Sequence, residues 1–337
     1  MKDAKNREWF YSQDKIPQAL EVPAPYEIYR LRATGQTVCQ YTLDLGVGES
    51  GCDISIMGDN HFNLSLPEDD LDEETVYTKF KRLWGKNGAH VDRTRFGLQG
   101  ARYSDQVILV GDIIDYLTKG AVMLTKKYIV EPYPDILMTV AHHDMTKQMQ
   151  TGRPNLLSNE ERLAILQEFW PNDIHYESRD ITDKITVVCL GITLAKYTSD
   201  LSERLAADIK RAKEEGRYLL IFQHEPISTG LEKDRECVAC YDRGRNEPAV
   251  FNCYDDKNRI CRPDDTDEVN WKMHALITKN ADVIKGIFVG HEHTQTYNEI
   301  PATYEKDGKT YDAVIPQHVV AAAAYYPAGY YMRIIVK

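Results

Sequence analysis

Six short runs rich in Val, Ile and Leu punctuate the chain: Asp53–Met57, Gln106–Val110, Asp135–Val140, Lys184–Leu190, Arg217–Phe222 and Val283–Val289. Each has the length of a buried strand. Helical patterns lie between several of them. Ser199–Glu215 carries Leu201, Leu205 and Ile209 at helical spacing and stops before Gly216. Asn159–Phe169 opens with a polar cap before Leu163, Leu166 and Phe169. Glu73–Leu83 has charge on one face and Val76, Phe80 and Leu83 on the other, and Val269–Ile277 is a weaker pattern of the same kind. Strands alternating with helices predict an α/β layered domain.

The ends of the chain differ from this pattern. Residues 1–50 are expected to form an accessory β segment, in which Tyr26–Thr34 and Thr37–Leu45 alternate as two strands around Gly35. Residues 51–337 would form the main domain. Its last part, Tyr311–Lys337, carries strand signals and is expected to pair at a sheet edge. Between residues 228 and 267 lies more chain than one helix and one strand require. This insertion contains Cys237, Cys240, Cys253 and Cys261. The first pair reads C-x-x-C, but the wider second spacing is unlike a structural zinc site. Zinc, disulfides and free thiols all stay open there. Cys39, Cys52 and Cys189 sit in apolar runs and are expected to be buried thiols.

Composition narrows the partners. Hydrophobic residues make up 42% of the 337, enough for a large core. The formal charge of −11 repels nucleic acid at long range and argues against a DNA-coating module. No apolar run approaches the ~18 residues of a membrane helix. Met1–Lys15 is polar and has no signal-peptide core, so a cytoplasmic location is expected.

The chemistry lies in the histidines. Of ten, six fall just beyond the C-terminal ends of apolar runs: His61, His142, His143, His224, His291 and His293. Open α/β sheets build their sites at such ends. The tips read Gly58-Asp59-Asn60-His61, Gly111-Asp112-Ile113-Ile114-Asp115, Ala141-His142-His143-Asp144, Phe222-Gln223-His224 and Gly290-His291-Glu292-His293. Mixed Asp oxygen and His nitrogen suits transition metals or zinc better than calcium. The donors are too many for one four-coordinate ion and about right for two ions sharing a carboxylate. Two such ions clamp the attacking and leaving oxygens of a displacement at phosphorus and lower the pKa of a shared water to about 7. No protein nucleophile is needed, and the chain has neither a G-x-S-x-G elbow nor a phosphate-binding G-x-x-x-x-G-K-[ST] loop.

Taken in order, these blocks resemble the calcineurin-like metallophosphoesterases: D-x-H, G-D-x-x-D, a G-N-H-D-like block, a lone strand-end His and G-H-x-H. The likeness runs from Asp59 to His293. It implies a four-layer αββα sandwich, two mixed β-sheets flanked by helices. It further implies that Asp59, His61 and His293 hold one divalent cation, that Asp112 bridges, and that His142, His224 and His291 complete a second site. Manganese, iron or zinc would fill these sites. By the same resemblance His143 is the non-ligand histidine that protonates the leaving oxygen, and Asp115 orients it. Asp144 would support the site from behind. The expected activity is hydrolysis of phosphate mono- or diesters of small molecules by a metal-bridging hydroxide.

Three departures stand out. His142 occupies a position where the family usually has Asn. Tyr116 and Leu117 follow the G-D-x-x-D block where protein phosphatases have Arg and Gly, which disfavours a phosphoprotein substrate. Tyr116 is one position out of register for the metal-binding Tyr of purple acid phosphatases. Two rivals remain beside the phosphoesterase: a nuclease with the same site, and a metal-holding protein with little turnover whose second site is disabled by the His142 change. His90, His175, His274 and His318 receive no role. Tyr325, Tyr326, Tyr330 and Tyr331 are expected to pack a sheet.

Overall fold

In the computed structural model the chain builds two mixed six-stranded sheets with helices on their outer faces. The structure describes residues 25–31, 35–69, 89–145, 157–192, 197–227 and 268–337. The helix expected at Glu73–Leu83 and the segment with Cys237, Cys240, Cys253 and Cys261 lie outside the described residues.

The first strands in chain order are β1 (Glu27–Arg30), β2 (Thr37–Leu43) and β3 (Cys52–Met57). Helix α1 (Ala89–Ala101), strand β4 (Gln106–Val110), helix α2 (Lys119–Thr125), strand β5 (Leu137–Thr139) and the one-turn helix α3 (His142–Met145) follow. Next come α4 (Asn159–Gln167), β6 (Tyr176–Asp180), β7 (Ile185–Leu190), α5 (Ser199–Glu215) and β8 (Tyr218–Phe222). The last elements are α6 (Glu268–Thr278), β9 (Ile284–Val289), β10 (Thr296–Lys306), β11 (Lys309–Val319) and β12 (Tyr330–Val336). The sheets run β1-β2-β12-β3-β4-β5 and β10-β11-β9-β8-β7-β6.

Alternation along the strands sets the layers. Ile108 and Val110 face the second sheet, while Val107 and Leu109 face the helices. Across the gap Val187 and Cys189 meet them, and Val188 and Leu190 turn outward to α5. Phe222 and Phe288 stack in this central layer with ring centroids 5.1 Å apart. Each such side chain, fully buried, stabilises the fold by roughly 1.5–3 kcal/mol. The αββα order is the one the family resemblance implied.

Helix α5 has the bounds expected from the sequence. Thr198 caps it by accepting from the Leu201 N–H, and Gly216 ends it in the left-handed conformation at φ 65°. Ser158 and Glu161 form a capping box at the start of α4. Cys39, Cys52 and Cys189 are buried free thiols, and burial pushes Cys39 and Cys52 up to about 12.

The C-terminal strand corrects an expectation. Tyr330–Val336 is not at an edge. It lies between β2, in parallel, and β3, antiparallel. Its side chains are buried on both faces at most positions, which an edge strand would not supply. One edge of the second sheet is β10, paired along its whole length with β11, and the other is β6. Among the described residues no helix is long and apolar enough to cross a membrane.

Candidate metal centre

Five loops meet where the C-terminal ends of parallel strands converge. Asp59 and His61 follow β3, Asp112 and Asp115 follow β4, and His142 and His143 follow β5. His224 follows β8, and His291 with His293 follows β9. The first three loops belong to one sheet and the last two to the other. Backbone hydrogen bonds tie them: His61 N–H donates to Asp112 O at 2.9 Å, and Gly290 N–H to His224 O at 2.9 Å.

These turns are tight. Asp59, His61, Asp112, His291 and His293 all have positive φ, between 49° and 76°. Asp and His tolerate that region better than most residues, at a cost of about 1–3 kcal/mol each. Five such residues in one place mark a site held against local preference. Gly290 allows the closest approach. A Cβ there would lie 2.8 Å from Asp59 Oδ2 and 3.0 Å from Val110 O.

The donor atoms fall into overlapping groups whose members lie within 4.8 Å of one another. One is Asp59, His61 and His293; a second is Asp112, His142, His224 and His291; a third is His61, Asp112 and His143. In the first, His293 Nε2 is 3.2 Å from Asp59 Oδ1 and 3.1 Å from His61 Nε2. Their other nitrogens are engaged from outside: His61 Nδ1 is 3.4 Å from Asp115 Oδ1, and His293 Nδ1 is 2.9 Å from the Tyr325 hydroxyl. In the second, His224 Nε2 is 3.1 Å from Asp112 Oδ2, and its Nδ1 is 2.8 Å from Val110 O. His291 Nδ1 is 3.3 Å from His224 Nε2, and His142 Nδ1 is 3.7 Å from Asp112 Oδ1.

This is how imidazoles are arranged around a metal. One nitrogen faces the centre while a carboxylate, carbonyl or hydroxyl fixes the other. Two imidazole nitrogens 3.1 Å apart either share one proton or face a common cation. The residues therefore fit divalent ions at both groups, with Asp112 the carboxylate common to the second and third.

Electrostatics agree. Burial holds His61 down at about 4 and His142 and His291 at about 3, so all three are neutral and ready to ligate at ordinary pH. Burial alone would raise the Asp112 carboxyl, but His224, His142 and His143 hold it well below the usual carboxylate range. Asp59 is likewise raised by burial but held low chiefly by His293. Asp144, buried and near the Asp112 charge, is pushed up to about 7. It accepts from the Ile114 and Ala141 N–H groups at 2.9 Å each and so pins the two loops behind the site.

His143 and Asp115 stand as a pair. Asp115 Oδ1 is 3.2 Å from His143 Nδ1, and the Asp115 carbonyl is 3.1 Å from the same nitrogen. Asn63 Nδ2 donates to Asp115 Oδ2 at 3.0 Å and fixes the carboxylate from the far side. Burial is uneven. Asp59, His61, Asp112, Asp115 and His224 are buried, whereas His143, His291 and His293 are half-buried and form the open rim.

Two residues near the centre escaped the sequence reading. Tyr325 packs half-buried against the central core from a short turn, and its hydroxyl also contacts His293. Its neighbours pack too, Tyr326 stacking on Tyr330 at 4.5 Å. Glu225, directly after His224, is fully buried with Oε1 3.8 Å from His142 Nδ1. His318 lies away from the loops, stacked on Phe288 in the central layer.

No protein-family model and no curated protein matches the sequence. Solved structures do match in shape. One is a dimetal phosphatase from Danio rerio, 12% identical, with 82% of this chain and 89% of that chain covered at a TM-score of 0.44. Another is PhoD, 10% identical, with 86% of this chain covered at a TM-score of 0.44; the chain spans 60% of that structure's length. Both likenesses are distant.

Proposed function

We propose that the chain is a metal-dependent phosphoesterase that hydrolyses phosphate mono- or diesters of small molecules. The observation that carries this reading is the overlap of the donor groups through His61 and Asp112, with the half-buried His143 at their open rim and the buried Asp115 behind it. Asp59, His61 and His293 would hold one divalent cation, and Asp112, His142, His224 and His291 a second. Bound there, such cations would neutralise the ester's negative charge and make water acidic enough to attack at neutral pH.

The chain's own groups supply the rest. Asp115 engages His143 Nδ1, which leaves Nε2 to carry the catalytic proton. As water oxygen bonds to phosphorus, the ester P–O bond breaks, and His143 Nε2 gives its proton to the departing oxygen. The attacking water's proton passes to solvent. Asp115 stabilises the imidazolium before transfer and keeps the ring facing the rim. The half-buried positions of His143, His291 and His293 leave the ester a way in.

The purified chain should release nitrophenol from nitrophenyl phosphate or bis-nitrophenyl phosphate. Chelator should stop the reaction, and manganese should restore it. Activity that survives complete removal of metal would refute the reading.

A further inference from the structure

His90 drew no role from the sequence, yet it is buried in the first turn of α1 and reaches the candidate site through one residue. The loops after β3 and β4 are zipped by backbone hydrogen bonds: Phe62 N–H donates to Ile113 O at 2.8 Å, and Asp115 N–H to Phe62 O at 2.9 Å. At Asn63 the partner becomes a side chain. Its N–H donates to His90 Nε2 at 3.0 Å, so that nitrogen serves as an acceptor and carries no proton. Phe62 and His90 pack edge to face, with ring centroids 5.7 Å apart, which fixes the imidazole plane. The Asn63 side chain, also buried, donates from Nδ2 to Asp115 Oδ2 at 3.0 Å. The other oxygen, Asp115 Oδ1, faces two imidazoles at once, 3.2 Å from His143 Nδ1 and 3.4 Å from His61 Nδ1. A small turn of the carboxyl plane would trade one for the other, so whatever holds Oδ2 decides where Oδ1 points.

We infer that His90 and Asn63 are positioning residues for the proposed reaction, forming with Asp115 a relay that ends on His143. The inference rests on the phosphoesterase reading above and deepens it by saying what aims the proton donor. His90 fixes the Asn63 backbone, Asn63 fixes Asp115 Oδ2, and Asp115 Oδ1 engages His143 Nδ1, which leaves Nε2 for the departing oxygen. Both residues act through Asp115 rather than on the ester. Outer partners that orient a site imidazole cost about 10–100-fold when removed. A proton donor matters most where the departing oxygen is basic: phenol leaves poorly without a proton, whereas nitrophenolate needs little help. Loss of the relay therefore shows in the dependence on leaving group rather than in metal content.

The test compares phenol with nitrophenol as leaving group, on the phosphate mono- or diester that the natural chain cleaves. Manganese is kept saturating, so that any loosening of His61 does not enter the rates. Asn63→Leu and His90→Phe keep bulk and remove the hydrogen bonds at the middle and the start of the relay. Each should lower kcat on the phenyl ester by about 10–100-fold and on the nitrophenyl ester by clearly less, with KM unchanged and two ions per chain. His90→Gln, whose amide oxygen can stand where Nε2 stands, should recover most of the phenyl ester rate. Asn63→Leu combined with His143→Ala should be no slower than His143→Ala alone, because the relay then has nothing to aim. Equal losses on both esters, or losses that multiply in the double variant, would overturn the relay and leave the phosphoesterase reading intact. They would make His90 and Asn63 parts of the general scaffold. A natural chain that cleaves neither ester in manganese would overturn the reading and the relay together.

Discussion

The Asp112 carboxylate and the His224 imidazole come from different sheets and meet at 3.1 Å. Asp112 follows β4 in the first sheet, and His224 follows β8 in the second. The candidate centre therefore depends on how the sheets pack. The Phe222–Phe288 stack and its aliphatic surroundings set the spacing at which these donors face each other. A cation held there would also act as a clamp across the sandwich.

A substitution at His143 tests proton transfer apart from metal binding. His143→Ala should lower turnover by about 10²-fold or more, the scale of general acid catalysis, while metal content stays near two ions per chain. Steady-state kinetics and elemental analysis on the same sample check this. Loss of an ion with the imidazole would make His143 a ligand, a role its place in the third donor group would allow.

Tyr325 fixes His293 through a 2.9 Å contact at Nδ1. Tyr325→Phe removes only the hydroxyl. It should weaken metal at the first position by about 10–100-fold and leave the second alone. Competition with a coloured chelator measures both.

Gly290 sits where a single methyl would strike the Asp59 carboxylate. Gly290→Ala should displace Asp59 and lower activity by about 10²-fold, as expected for a misplacement near 1 Å. The stability loss should be modest, about 1–3 kcal/mol. An active Gly290→Ala enzyme would mean that Asp59 has no fixed role.

Sequence and structure agree most closely where chemistry and periodicity coincide. All nine expected site residues lie at the converging loops, because each follows a run whose apolar character is enough to identify a buried strand. Helix α5 was legible from end to end, since cap, stripe and terminating glycine all point the same way. Helix α1 was not. Gly97 and Gly100 weaken its helical signal, yet a Cβ at Gly97 would lie 2.6 Å from Met57 Cε and 2.8 Å from Tyr330 O. Close packing on the sheet demands the glycine that hides the helix. The central place of β12 was equally hidden, because strand order is not written in periodicity. Glu225 drew no reading from the sequence, and its burial is what reveals it.

His318 offers a pH test away from the donor cluster. Its Nδ1 is 2.7 Å from the Tyr26 hydroxyl, and burial holds it down at about 3. In the unfolded chain it titrates near 6.5. The folded state thus resists a proton that the unfolded state accepts. Its contribution is fully present above about pH 6.5 and is lost by about 1.4 kcal/mol per unit as pH falls towards 3. The stability gap between the natural chain and His318→Gln should therefore narrow by about 2 kcal/mol from pH 7 to pH 5. Urea unfolding at both pH values measures it, and a constant gap would show that His318 is not buried neutral.

Metal stoichiometry with reversible loss of activity bears most directly on the whole account. The chain should carry two divalent ions after dialysis against manganese and lose phosphoesterase activity when both are stripped. It should recover that activity when they return. A chain that holds no ion, or that cleaves phosphate esters equally well without one, would contradict the account.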